Sequence, residues 1–217
     1  MPARSVLDAP RQPQGLAAQL ELGTAQPGQV DVEADGIVIP PSNFCVRDTQ
    51  GRLWLSVSTR LKPRSLDYRR DASTGFIVLQ DQRGARIVAD GLGFTNECIV
   101  HPSGDALYVN ETYARRFSRF PLRKNGDLGP KEVVCSFGVG QFPDGFAFDA
   151  EGNAWTTCVV SNELIRIDLK SGQQEIWLSD RNADHVAYVE EAFESDRVGR
   201  PHLDTIASEK LKNISSI

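Results

Sequence analysis

The sequence lacks the features that mark membrane, secreted or nucleic-acid-binding proteins. Its 217 residues include only four cysteines, far apart and without a C-x-x-C pair, so neither a zinc site nor a disulfide scaffold is expected. No segment approaches the ~20 consecutive apolar residues that span a bilayer, and residues 1–15 lack the apolar stretch of a signal peptide. Lysine and arginine form no block, and the net charge is −5. We therefore expect a cytoplasmic protein that binds neither membrane nor nucleic acid.

The composition is that of an ordinary globular protein, with 40% hydrophobic and 24% charged residues. A chain of this length can bury a core, and it corresponds to one large domain or two small ones. We expect the protein to bind a small-molecule ligand or a protein partner.

A repeated unit of about 50 residues is the strongest pattern in the sequence. Three segments superimpose from a polar residue to a glycine eight positions later, namely residues 43–51, 96–104 and 144–152. In each segment the glycine ends a tight turn and an apolar run containing an aromatic residue follows, which is typical of a β-hairpin. Two further alternating runs follow each hairpin, so each repeat is predicted to contain four strands. The repeat spacing matches the ~40 to 50 residues of a four-stranded propeller blade.

We therefore predict an all-β fold, a β-propeller of four-stranded blades. A β-sandwich is less favoured, because it would not repeat one polar residue at one register. Residues 183–196 carry apolar side chains at helical spacing and predict a short helical insert. Residues 1–217 are expected to form a single propeller domain of about four blades, with outer strands of a preceding blade before residue 43 and a further inner strand beginning near residue 213. Propellers have ~4 to 8 blades, so the domain is expected to be partial, incomplete at one or both ends.

The first residue of each repeat is the candidate functional position. The inner strands of successive blades face one central channel, so Asn43, Asn96 and Asp144 are expected to converge there. Two amides and one carboxylate form an oxygen-rich set suited to calcium, magnesium or manganese, and to zinc only with more anionic ligands. Asn and Asp at strand entries also cap turns through their own backbone, so a purely structural role of these residues stays open.

Two longer motifs resemble a known family. The first runs from Thr95-Asn96 through a hairpin to Y-V-N-E-T-Y-A-R-R at residues 108–116, and the second begins F-P-D-G at residue 142 and ends at Trp155. Together they resemble the senescence marker protein, gluconolactonase and luciferin-regenerating enzyme family, over roughly residues 41–169. The resemblance implies a six-bladed propeller that binds one divalent metal in its channel and hydrolyses lactones.

The resemblance also implies roles for the three repeat residues. Asn96 and Asp144 would bind the metal, and Asn43 would contact the substrate. Asp144 would also be catalytic, taking a proton from the water that attacks a lactone carbonyl polarised by the metal. The family's first-blade glutamate has no matching motif in this chain, since Glu21 and Glu33 stand in a different context. The implied cofactor is one divalent ion, calcium first and zinc, magnesium or manganese as alternatives, and the implied partner is a small lactone substrate.

Two classes of function remain open. The first is a metal-dependent lactonase of the gluconolactonase type, or an inactive fragment of one. The second is a non-catalytic propeller that binds a ligand or a partner across its channel face. A synthase-like relative without metal is less favoured, because it would not need the pair Asn96 and Asp144. Dependence on a divalent metal distinguishes these possibilities.

Overall fold

The computed structural model describes residues 33–217, and Glu21 and the first part of the predicted preceding blade lie outside the described residues. Within residues 33–217 the strands form three antiparallel sheets of four strands and one sheet of two strands. Each four-stranded sheet is ordered as the chain runs, from an inner to an outer strand. This arrangement confirms the predicted four-stranded blade as the repeated unit.

The bounds of the elements follow the repeats. The two-stranded sheet contains β1 (Glu33–Ala34) and β2 (Ile37–Val38). The first blade contains β3 (Phe44–Arg47), β4 (Leu53–Val57), β5 (Gly75–Asp81) and β6 (Gly84–Leu92). The second contains β7 (Thr95–Val100), β8 (Ala106–Glu111), β9 (Arg116–Pro121) and β10 (Glu132–Ser136). The third contains β11 (Pro143–Phe148), β12 (Ala154–Cys158), β13 (Glu163–Ile167) and β14 (Gln174–Ser179), and helices α1 (Ala183–Glu194) and α2 (Arg200–Asp204) follow.

The inner hairpin of each blade closes with the predicted glycine turn. The amides of Gly51, Gly104 and Gly152 each donate to the carbonyl three residues earlier, over 2.8 to 3.1 Å. The φ angles of these glycines lie between +77° and +83°. Residues with a Cβ rarely adopt this conformation, so the turn explains the glycine in each repeat.

A turn aspartate anchors the second strand in two of the blades. In the third blade Asp149 Oδ2 accepts a hydrogen bond from Trp155 Nε1 over 2.8 Å, and in the first blade Asp48 and Trp54 form the same bond at 2.9 Å. In the second blade His101 takes the position of the aspartate. Its ring packs edge-on against a phenyl ring of β11, with centroids 4.8 Å apart. His101 is therefore partly buried between blades, whereas the turn pattern alone predicts exposure.

The hydrophobic core lies between successive blades. Trp54 and Leu107 belong to one cluster that joins the first and second blades, and Phe117 and Phe146 to another that joins the second and third. All four side chains are at most 2% exposed. Burying a side chain of this size contributes about 1.5 to 3 kcal/mol, so packing between neighbouring blades accounts for much of the stability.

Helix α1 confirms the predicted helical insert and ends two residues before the predicted boundary. Asn182 caps its first turn, because Asn182 Oδ1 accepts from the His185 amide at 3.0 Å. Asp196, with φ at +55°, turns the chain away after the helix. Val189 and Phe193 on the buried face of α1 pack with aromatic residues of the blades. No helix within residues 33–217 is long and apolar enough to cross a bilayer.

The C-terminal tail, residues 213–217, is irregular, where the sequence predicts a further inner strand. The Ser215 carbonyl accepts a hydrogen bond from the Gly145 amide over 2.9 Å. The tail therefore lies beside β11, the inner strand of the third blade. A Cβ at Gly145 would lie 2.8 Å from the Ser215 carbonyl oxygen, which explains why glycine follows Asp144.

Candidate functional site

The first residues of the three repeats meet at one end of the inner strands. Asn43 directly precedes β3, Asn96 lies in β7 and Asp144 in β11. Asn43 Nδ2 donates to Asn96 Oδ1 over 2.8 Å, and Asn96 Nδ2 donates to Asp144 Oδ1. The structure thus brings together all three residues that the repeat predicted, although about 50 positions separate each from the next.

Irregular strand pairing helps to place two of these side chains. The register of β7 against β8 shifts between Thr95 and Cys98, and the register of β11 against β12 shifts between Pro143 and Phe146. Asn96 and Asp144 lie within these two segments. A β-bulge bends its strand and redirects its side chains. The second and third blades therefore use the same local irregularity to turn their polar residue toward the others.

Two further residues hold this chain of side chains in place. Asn96 Nδ2 also donates to Thr112 Oγ1 at 3.2 Å, and Thr112 Oγ1 donates to the Pro143 carbonyl at 2.8 Å. Asn110 Nδ2 donates to the Asp144 carbonyl at 2.8 Å. Both residues belong to the N-E-T tripeptide at residues 110–112. That tripeptide matches a glycosylation acceptor pattern. Asn110 is nevertheless fully buried, and its side chain bonds to the backbone of Asp144.

Two acidic side chains near the centre of the site have raised pKa values. Burial raises the pKa of Asp144 to about 6, against the opposing effects of the Asn96 hydrogen bond and the Arg64 charge. Burial also raises the pKa of Glu97 to about 7, and the nearby Asp144 charge adds to the shift. Glu97 Oε2 accepts from the Phe146 amide at 2.9 Å, so Glu97 ties β7 to β11. Burial therefore disfavours the charged forms of both carboxyl groups.

A cleft of about 520 Å³ opens over the three residues. Tyr68, Phe94 and Tyr113 form part of its lining, and α2 and the C-terminal tail supply another part. Arg64, in the 3₁₀ turn Arg64–Asp67 between β4 and β5, also lines it. The volume is within the range of small-molecule sites. Aromatic and polar surfaces together suit a ligand with both apolar faces and hydroxyl groups.

The residues present fit a divalent cation of the hard, oxygen-binding kind. Asp144 supplies a buried carboxylate whose charge is poorly compensated, and Asn43 and Asn96 supply amide oxygens when their side chains turn about the Cβ–Cγ bond. Within residues 33–217 no three His, Cys, Asp or Glu side chains form a metal-binding group, so amide and water oxygens would complete the shell. Glu33 lies on β1, which contacts the outer strand β6, and it stays away from this site.

Sequence reasoning missed Thr112, Glu97 and Arg64. Thr112 is part of the motif Y-V-N-E-T, so the motif itself points to it. Glu97 follows Asn96 directly, but strict strand alternation would turn it to the opposite face. Arg64 lies in an irregular connection without periodicity, and only the folded chain places it at the cleft.

Antiparallel four-stranded blades whose inner strands meet at an oxygen-lined cleft are the parts of a β-propeller. The chain belongs to the SMP-30/gluconolactonase/LRE-like region family, which it matches over residues 40–187. This match confirms the resemblance drawn from the motifs.

Known relatives support the same fold. A 6-deoxy-6-sulfogluconolactonase of Pseudomonas putida is 27% identical over 123 residues, which cover 55% of this chain and 40% of that protein. A gluconolactonase of Xanthomonas campestris superimposes with a TM-score of 0.54 at 20% identity, covering 70% of this chain and 52% of its own. Regucalcin of Agrobacterium tumefaciens, described as a calcium-binding protein, gives a TM-score of 0.52 at 23% identity, covering 62% and 43%. The chain therefore spans about half the length of these relatives or less.

Proposed function

We propose that this chain carries the metal-binding and substrate-facing part of a lactonase site that opens a sugar-like lactone. The observation that carries the proposal is the contact of Asn43, Asn96 and Asp144, one residue from each blade, in the lining of a cleft of about 520 Å³. Membership of a family that includes gluconolactonases supports it. The name of the Pseudomonas putida relative, 6-deoxy-6-sulfogluconolactonase, supports the substrate class.

Asn96 and Asp144 would hold the cation, with calcium first among the candidates. A bound divalent cation supplies Lewis-acid polarisation of the lactone carbonyl and a lower pKa of water. Asp144 Oδ1 is bonded to Asn96, and Oδ2 has no hydrogen bond to any residue in the described range 33–217. The Asp144 carboxylate would accept a proton from the attacking water.

The remaining residues would orient and shield the substrate. Asn43 is exposed and lines the cleft, where its amide can bond to sugar hydroxyls. The water oxygen bonds to the carbonyl carbon, the ring C–O bond breaks, and the leaving alkoxide takes up a proton to give the hydroxy acid. The apolar faces of Tyr68 and Phe94 would keep bulk water away from the ring of the lactone.

The test is a calorimetric titration of calcium, zinc and manganese into the protein, followed by a screen of sugar lactones. Stoichiometric binding that Asp144→Ala abolishes, together with metal-dependent lactone opening, is the expected result. Asp105→Asn, a change at an exposed turn residue of the second blade, is the matched control and should leave both unchanged. Lactone opening that survives removal of all divalent metal would contradict the proposal. Ligand binding to a folded protein without any hydrolysis would favour a non-catalytic propeller.

A further inference from the structure

A positive side chain that lines the cleft forms no ion pair within residues 33–217. Arg64 lines the cleft, and its one hydrogen bond to residues 33–217 runs from Nη2 to Ser58 Oγ over 3.2 Å. Lys212 of the C-terminal tail lines the same cleft, and it too forms no ion pair in that range. Most of the guanidinium donors of Arg64 therefore remain free to bind a ligand.

Aromatic packing holds the guanidinium in place. Arg64 Cζ lies 5.0 Å from the centroid of the Phe94 ring. Phe94 is itself buried and packs edge-on against Tyr68 and Tyr113, with centroids 5.2 and 4.9 Å away. Phe94 also has a φ of +61°, a strained conformation for an aromatic residue. Arg64 thus stacks on a buried and packed aromatic cluster, and this contact limits the freedom that its guanidinium loses when it binds an anion.

The charges around the cleft leave an excess of positive charge. Arg200 and Asp204 pair with each other at 2.9 Å and cancel. Asp144 is the remaining acid in the lining, and the proposed function assigns its charge to a divalent cation. The positive charges of Arg64 and Lys212 are then not offset by an acid of the cleft lining. A cleft with this balance attracts and retains negatively charged ligands.

We propose that Arg64, assisted by Lys212, forms an anion subsite in this cleft, so that the substrate is a sugar lactone carrying a second, negatively charged group. The planar guanidinium matches the oxygens of a carboxylate, a phosphate or a sulfonate, and it binds such groups through paired hydrogen bonds. The lactone and the assignment of the Asp144 charge to a cation rest on the proposed function, whereas the free donors of Arg64 and the positions of Arg64 and Lys212 do not.

Binding of cyclic sugar ethers that cannot be hydrolysed tests the subsite without requiring catalysis. The probes are one neutral ring and the same ring carrying a 6-carboxylate, a 6-phosphate or a 6-sulfonate, each titrated by calorimetry in the presence of calcium. We expect at least one charged ring to bind about tenfold more tightly than the neutral ring. The difference should shrink as salt is added, because the cleft is open to solvent. The order of the three charged rings identifies which group the substrate carries.

Substitutions assign the effect to Arg64. Arg64→Met should remove most of the preference and leave binding of the neutral ring within about twofold, Arg64→Lys should retain part of it, and Lys212→Met should reduce it. Arg123→Met, at an exposed arginine in a turn of the second blade, is the matched control and should retain the full preference.

The anion subsite and the lactonase proposal are contradicted by different results. Equal affinity for neutral and charged rings, or a preference that survives Arg64→Met, overturns the anion subsite even if lactones are opened. Selective binding of the charged rings by a protein that opens no lactone upholds the subsite and overturns the lactonase proposal instead.

Discussion

The side-chain amide of Asn43 donates to the side-chain oxygen of Asn96 over 2.8 Å, although 53 positions separate the two residues. Asn96 in turn donates to Asp144 on the third blade. One side chain from each blade thus forms a continuous row of hydrogen bonds. Because Asn96 is the middle member, it touches both neighbours, and a change there affects the whole row.

Replacing Asn96 with aspartate should destabilise the metal-free protein and strengthen calcium binding. A second carboxylate beside Asp144 places like charges together, so we expect the metal-free variant to lose about 1 to 3 kcal/mol of stability at neutral pH. An added anionic oxygen strengthens calcium binding, so calcium should raise the Tm of Asn96→Asp more than that of the parent. Thermal unfolding with and without calcium measures both effects. Asn96→Ala, which has no side-chain oxygen at this position, is the control. If calcium raises the Tm of the parent, Asn96→Asp and Asn96→Ala equally, Asn96 does not contact the ion.

The repeat made much of this site predictable. The glycine turns, the four strands of each blade and the meeting of Asn43, Asn96 and Asp144 all follow from one register that recurs three times. Such a register is informative because equivalent positions on successive blades face one axis. The short helix was predictable from the spacing of Val186, Val189 and Phe193, all of which are buried.

Other parts of the site depend on contacts that no local pattern records. The position of Arg64 is set by stacking on Phe94, and Glu97 reaches the Phe146 amide because β7 is irregular beside Asn96. His101 shows the same limit, since its turn position predicts exposure and an aromatic contact with the next blade buries part of its ring. These placements are decided by packing between blades, which a single repeat does not encode.

Thr112 should be a positioning residue for Asn96. Its hydroxyl accepts from Asn96 and donates to the Pro143 carbonyl, and the side chain is only 6% exposed. Thr112→Val keeps the shape but leaves that carbonyl without its partner, so we expect a loss of about 1 to 3 kcal/mol in the free energy of unfolding. We also expect weaker calcium binding, which a purely structural role would not produce.

Thr112→Ser is the rescue variant for this prediction, because it restores the hydroxyl with one methyl group fewer. Denaturant unfolding and calcium titration of both variants decide the matter. If Thr112→Val and Thr112→Ser bind calcium equally well, the hydroxyl does not position Asn96.

Asp149 should make stability depend on pH in the acid range. Burial opposes its ionisation, but hydrogen bonds from Trp155 and Asn153 outweigh burial and hold its pKa at about 2. A carboxyl whose pKa is lower in the folded than in the unfolded state stabilises above the unfolded value near 4, and this contribution disappears as the pH falls toward 2. Asp149→Asn should therefore cost about 1 kcal/mol at pH 6, after allowance for solvent screening, and almost nothing near pH 2. Urea unfolding at several pH values tests this, and a cost that is independent of pH would assign the effect to shape rather than charge.

The ion pair of Arg115 and Glu190 should be needed to hold α1 against the blades. The two side chains meet at 2.5 Å with exposures of 9% and 15%, and the Arg115 guanidinium lies 4.1 and 4.4 Å from the ring centroids of Phe142 and Phe193. Arg115→Met keeps much of the packing but leaves the Glu190 carboxylate partly buried without its cation. We expect a loss of about 3 to 5 kcal/mol in the free energy of unfolding.

The double variant Arg115→Met/Glu190→Gln separates the charge from the packing. Removing the stranded carboxylate should recover a substantial part of the loss, because most of the cost of breaking a buried pair is the uncompensated charge that remains. Denaturant unfolding of the two single variants and the double variant completes the cycle. A double variant that is no more stable than Arg115→Met would mean that the cation between the two phenyl rings, and not the ion pair, holds the helix in place.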